Sequence, residues 1–407
     1  MPHDRLAMAL HTALGQLDAD GRRHGAETVI AGVAAPADGR GPRFLVAGEG
    51  ETGFLRMNAN NYLGLSLHPA VIAAEDAAVR RFGTGPGAVR FISGTWEPHV
   101  ALERRLAEFH RREAAMAFSS AYGAMLGVLP PLITDETAVV SDELNHNCII
   151  NAIRLARPRA RFVYPHLDLA ALEARLVEAS SSCRRAIVVT DGVFSMRGDH
   201  APLDAIVAIA RRHDAAFAEN VIVVADDSHG VGAFGATGRG TEERTDGAAD
   251  ILVATLGKAF GVNGGYVAAS RTVIDYLRET APQYVYSNPI APGEAAAARA
   301  AIDLVDGATG RALLARLGEM TARFKTGLIR LGFETLPGDH PIVPLMVRDS
   351  HRTAALAQHL RRNRVLATGL NYPVVPRGSE EIRFQICADH TPVDIDEALD
   401  VLARFDA

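Results

Sequence analysis

Short apolar runs alternate with amphipathic stretches from about residue 60 to 290, and this rhythm predicts the architecture. The runs are AAMAF (114–118), TAVVSD (137–142), ARFVYP (160–165), RAIVVTD (185–191), NVIVVADD (220–227) and DILVATLG (250–257). None alternates with period two, so each reads as a strand covered on both faces, as in a mostly parallel sheet sandwiched by helices. After SNPIAPGEAAAARAAIDLV, a helix opened by proline, the order becomes long helix, strand PIVPLMV, helix, strand EIRFQICA, helix. The expectation is an α/β protein with a large domain over 60–290 and a smaller α/β domain over 291–407. Residues 1–59 form an N-terminal helix and arm, expected to pack on the small domain or a partner subunit. The first 25 residues carry the helical pattern, and the Gly/Pro-rich stretch 34–53 reads as a loop.

Three successive strands end in polar residues: VVTDGVFS, VVADDSHG and VATLGK. In open parallel sheets ligands bind beyond the carboxyl ends of the strands, so Ser195, Asp226, His229, Thr255 and Lys258 should converge. Asp227 follows Asp226 directly, so alternation turns it to the other side, where capping a turn is its expected task.

Composition sharpens the case for Lys258. Of the 42 lysine and arginine residues only two are lysine, Lys258 and Lys325, against 40 arginines. Where a positive charge alone was needed this chain uses arginine, so Lys258 stands where a guanidinium would fail. A lysine can shed its proton and attack a carbonyl as the free amine. The bland alternative is a strand-end lysine reaching to solvent, and Lys325, on an amphipathic pattern, fits a solvated helix face. A Schiff-base lysine with a carboxylate for a pyridinium nitrogen is the protein half of pyridoxal phosphate chemistry. Asp226 is the candidate carboxylate, because its charge would keep the ring nitrogen protonated. FSSAYGAM (118–125) sets small residues and Ser120 between a strand and a helix, a place for a phosphate, although a serine there can simply cap the helix. The glycine-rich TGPGAVRFISGT (84–95) matches neither a dinucleotide fingerprint nor a P-loop.

The remaining composition excludes several classes. With 48% hydrophobic and 22% charged residues the chain is globular, and a formal net charge of -6 offers no basic stripe for nucleic acid. Cys148, Cys183 and Cys387 are too few and scattered for a disulfide framework or metal cage, so no metal is expected. No window approaches a membrane span and the N-terminus lacks a signal-peptide core, so a cytoplasmic protein is expected.

The motifs NANNYLGLSLHP, VRFISGTWEPHVALE, SDELNHNCIINAIRL, TDGVFSMRGD, VVADDSHGVGAFGATGRG, TLGKAFG, YVYSNPIAP, GDHPIVP and EIRFQICADHT occur in order between residues 58 and 391. The chain thereby resembles the α-oxoamine synthase family of fold-type-I pyridoxal phosphate enzymes, and within it the glycine C-acetyltransferase (2-amino-3-ketobutyrate CoA ligase) group. The resemblance implies roles. Lys258 would hold the cofactor and later shuttle the α-proton. Asp226 would pair with the ring nitrogen, His229 and Ser195 would meet the ring hydroxyl, and His146 would stack on the ring. Ala121 and Tyr122 would bind phosphate through their backbone, with Thr255 and with Ser287 from a partner subunit. Arg383 would clamp the amino-acid carboxylate, and Asn61 and His99 would line the substrate pocket.

The resemblance also implies a homodimer and a C-acyltransferase that condenses an amino acid, glycine first, with an acyl-CoA or acyl-carrier-protein thioester. Two other readings are an aminotransferase, which would share Lys258 and Asp226, and a non-catalytic synthase subunit, which would lack the lysine. The chain departs from the family pattern in FSMRG, where FSMDG is frequent, and at Ala121, Val262 and Asn263. These departures bear on substrates and leave the cofactor residues in place.

Overall fold

The computed structural model describes residues 3–20, 22–23, 26–372 and 374–405. The expected N-terminal helix runs over Asp4–Ala19; parts of the 1–25 expectation (residues 1, 2, 21, 24 and 25) lie outside the described residues.

Seven strands form the main sheet: β1 (Ala114–Phe118), β2 (Thr137–Asp142), β3 (Ala160–Tyr164), β4 (Arg185–Asp191), β5 (Val221–Asp226), β6 (Ile251–Thr255) and β7 (Gly265–Ala269). Their order across the sheet is β1-β7-β6-β5-β4-β2-β3. Neighbours from β6 to β3 pair in parallel. β7 runs antiparallel to both β1 and β6. Six strands match the apolar runs to within two residues at either end. β7 was not among them, because GYVAA is short and poor in branched residues; it becomes a strand by filling the gap between β1 and β6.

Helices α1 (Ala121–Leu132) and α2 (Asn147–Ala156) contribute Met125, Val128, Leu129, Ile149 and Ile153 to one core with strand residues Val139, Ile187, Val189, Val224 and Val253. All of these are at most 2% exposed. That burial, at about 25 cal/mol per Å² of apolar surface, fixes the strand ends and helix starts that face each other at one edge of the sheet.

The chain divides into two compact units. One comprises Asn60–Glu319 with Gly338–Pro341; the other comprises the described residues up to Ala59, Met320–Pro337 and the chain from Ile342 onward. The small domain was expected to open near residue 291. Instead helix Pro292–Val305 stays with the large unit, because it packs on helices Pro69–Phe82 and Glu97–Phe109. In the second unit, strands Glu334–Thr335, Ile342–Met346, Thr368–Leu370 and Glu381–Gln385 make a four-stranded antiparallel sheet.

The stretch expected as a loop, 34–53, is not one throughout. Ile30–Ala34 and Arg43–Val46 pair antiparallel as a hairpin. Within the same unit Arg43 reaches Asp394 at 2.8 Å and Glu397 at 2.9 Å, and Gly41 N–H donates to Asp394 at 2.9 Å. These long-range partners order a segment whose composition reads as turn-forming.

Candidate active site

Asp191 and Asp226 are the last residues of β4 and β5 and stand opposite each other in the parallel register. Both are 5% exposed. They open on a cavity of about 260 Å³ inside the larger unit. Lys258, His146, His229, Asp226 and Ser195 line it, as do Ala121, Tyr122 and Thr255. Residues distributed over 138 positions thus share one enclosure because strands β4, β5 and β6 all end there.

The groups are held as follows. Asp226 Oδ1 accepts the Ser228 N–H at 3.1 Å, and its Oδ2 accepts the Cys148 thiol at 3.4 Å. Tyr62, fully buried, shares a 2.8 Å hydrogen bond between its hydroxyl and His229 Nδ1, while His340 Nε2 meets the His229 carbonyl at 2.9 Å. His146 caps α2: its N–H donates to Asp191 Oδ2 at 3.0 Å, and its Nδ1 accepts the Cys148 N–H at 3.3 Å. Burial lowers the His146 pKa, and Lys258 adds to this against the pull of Asp226, which favours a neutral ring. Burial and the adjacent Asp226 charge push Asp191 well above the usual carboxylate range, against the pull of the His146 N–H and Lys258. The Cys148 thiol is likewise pushed up, by burial and then by Asp226 and Asp191.

At another wall, Ser120 caps α1 by accepting the Gly123 N–H at 3.0 Å. The first amides of a helix have no intrahelical acceptor, and the helix dipole adds positive potential, so Ala121 and Tyr122 N–H are groups that could hold an anion. Gly265 permits this placement: a Cβ there would lie 2.1 Å from the Ala121 nitrogen. Thr255 Oγ1 donates to the Gly264 carbonyl and accepts the Gly257 N–H, both at 3.0 Å, shaping the turn that presents Lys258. Ser228 Oγ, on the cavity wall, is buried with no hydrogen-bond partner. A hydroxyl left in that condition fits a polar ligand in the enclosure.

Four expected residues do not line this cavity. Asn61 Nδ2 donates to Ser66 Oγ at 2.9 Å, organising the 61–66 turn, and Gly261 lies against that turn, a Cβ there falling 2.3 Å from Ser66 N. His99 was expected in a substrate pocket, but its ring is fully buried: Nδ1 accepts the Trp96 N–H at 3.0 Å and Nε2 meets the Ile290 carbonyl at 2.8 Å. Both nitrogens are engaged in joining a helix start to residue 290. Ser287 is half-buried, its hydroxyl 3.5 Å from the Asn288 carbonyl. Arg383 belongs to the other unit, half-buried on Glu381–Gln385.

Asp227 does more than cap a turn. Its carboxylate, fully buried, accepts the Thr241 hydroxyl at 2.7 Å and the Thr241 N–H at 2.6 Å. Burial pushes it up to about 7, against the pull of those two donors. Sequence reading passed over Asp191, Cys148, Ser228 and Tyr62. Asp191 ends the strand before Asp226 in TDG, a polar strand-end signal of the same kind; Cys148 and Tyr62 carry no such signal.

A family model described as aminotransferase class I and II matches residues 52–402. The chain is 43% identical over 350 residues to 8-amino-7-oxononanoate synthase of Geobacter sulfurreducens, covering 85% of this chain and 87% of that one. It is 41% identical over 369 residues to the human mitochondrial 2-amino-3-ketobutyrate coenzyme A ligase, covering 90% and 85%. Among solved structures, SPT with PLP superposes with a TM-score of 0.86 at 26% identity, over 99% of this chain and 96% of that chain.

Proposed function

This chain belongs to the class I and II aminotransferase family and, within it, to the α-oxoamine synthases, and we propose that it is a C-acyltransferase joining a small amino acid, glycine first, to an acyl-CoA thioester. It is a pyridoxal phosphate-dependent enzyme of fold type I. The observation that carries the proposal is a single cavity in which Lys258, a buried carboxylate at Asp226, a helix start at Ala121 and an orphaned Ser228 hydroxyl meet. That donor set suits the cofactor: an amine for its aldehyde, an anion for its ring nitrogen and amides for its phosphate.

When bound, pyridoxal phosphate supplies an electron sink that stabilises negative charge on the amino acid's α-carbon. The residues do the rest. Lys258 would bind the cofactor and would take and return the α-proton at Nζ. Asp226 holds a proton at the ring nitrogen by its charge. His146 would cover the ring face, and His229, oriented by Tyr62, would meet the ring hydroxyl with Ser195. Ala121 and Tyr122 N–H would hold the phosphate with Thr255 and with Ser287 of a second copy in a homodimer. By the family resemblance Arg383 would be the residue for the substrate carboxylate, with a two-pronged guanidinium, and Asn61 a substrate neighbour. The setting is cytoplasmic, in keeping with three buried free thiols.

A second reading has support in the relatives' names. 8-Amino-7-oxononanoate lacks a carboxylate on the carbon bearing its amine, whereas 2-amino-3-ketobutyrate keeps it. A synthase using another amino acid or a carrier-protein thioester, with loss of carbon dioxide, fits the same site. The test mixes purified holoenzyme with glycine, alanine or serine and with acetyl-CoA, longer acyl-CoAs or acyl-carrier protein, reading thiol release and carbon dioxide. Glycine-dependent thiol release from acetyl-CoA without carbon dioxide supports the first reading. Alanine or serine with a longer donor and matching carbon dioxide replaces it with the second.

A further inference from the structure

Cys148 opens α2 as the second residue of the helix and is 1% exposed. Burial alone would make it a small apolar filler, the ordinary role of a free cysteine, and its backbone neighbours Ile149 and Ile153 do pack in the main core. Its sulfur, however, lies on the cavity wall between two polar groups. Sγ is 3.4 Å from Asp226 Oδ2 and 3.0 Å from His146 Nδ1.

We propose that Cys148 is a positioning residue whose S–H donates to Asp226, so that its side chain orients the anion meant for the cofactor nitrogen while its backbone N–H holds Nδ1 of the His146 ring. This rests on the reading of the cavity given above. Asp226 Oδ1 is already taken by the Ser228 N–H at 3.1 Å. The thiol takes one lone pair of Oδ2, which leaves the carboxylate held at both oxygens on the cavity wall. A carboxylate is the strongest acceptor within reach of the thiol, and the raised thiol pKa keeps that hydrogen in place. Without the donor, a buried carboxylate loses one of its two fixed partners and turns more freely.

The inference is tested with Cys148→Ala, Cys148→Val and Cys148→Ser. Valine keeps the volume without a donor, and serine keeps the donor. Each protein is stripped of cofactor, checked for a cooperative melt, and titrated with pyridoxal phosphate by absorbance to obtain its dissociation constant. Alanine and valine should each bind about tenfold more weakly than the parent, the scale of one hydrogen bond to a charged group, and serine should stay within about threefold. If valine or alanine binds as the parent does, or if serine binds as weakly as alanine, the positioning role is wrong. Failure of the parent itself to bind pyridoxal phosphate would instead overturn the reading of the cavity.

Discussion

Raising the pH should loosen two of the loops that build the active site, through His166. This ring stands between Asp142 at 3.1 Å and Asp199 at 3.2 Å. Asp142 ends β2 and begins the turn that delivers His146; Asp199 closes the turn that carries Ser195, and Arg197 holds it at 2.7 Å. Burial would lower the His166 pKa, but hydrogen bonds and charge from both aspartates override it and push the value up to about 9, from 6.5. At about 1.36 kcal/mol per pH unit this corresponds to roughly 3 kcal/mol, and partial solvent screening reduces it to roughly 2 kcal/mol. The folded value lies above the unfolded one. The contribution is therefore complete below pH 6.5 and disappears as pH rises through 9.

Urea unfolding of the parent and of His166→Gln between pH 6 and 10 measures it. The parent should exceed the variant by roughly 2 kcal/mol more at pH 6 than at pH 10. A difference between the two proteins that does not change with pH would refute the argument, because it would mean the ring is neutral and only packed. The chain has fifteen histidines, so the difference between parent and variant at each pH, and not the parent's own profile, isolates this ring.

Two further outcomes follow from the site. Lys258→Ala should fold, lose the visible absorbance of lysine-linked cofactor and show no thiol release from any acyl donor; retained turnover would remove Lys258 from the chemistry. Gly240→Ala should cost roughly 2–4 kcal/mol in thermal or chemical unfolding, because Gly240 has φ +83 and a Cβ would lie 1.9 Å from Asp227 Oδ2; a loss under about 0.5 kcal/mol would show that the Asp227 pocket is not rigid.

Much of this protein was legible in the linear chain, for a local reason. Strands buried on both faces must be apolar throughout, so TAVVSD, RAIVVTD and VIVVAD announce themselves, and the polar residues that end them mark the edge where a ligand can sit. The scarcity of lysine singled out Lys258 before any geometry. By itself the sequence thus determined the α/β class and the family, and it pointed to candidate residues at the strand ends that the fold gathers in one cavity.

Tertiary contacts decided what depends on partners far along the chain. Gly265–Ala269 is a strand because β1 and β6 leave a place for it. The 34–53 stretch holds a strand because Arg43 finds Asp394 and Glu397 some 350 residues away. His99, expected in a substrate pocket, is occupied by Trp96 and Ile290, whereas Cys148, in the sequence only one of three scattered cysteines, lies against both Asp226 and His146. Residue type fixes what a side chain can do, but burial and hydrogen-bond partners come from packing across hundreds of residues, and no local pattern encodes which buried polar atom will find which partner.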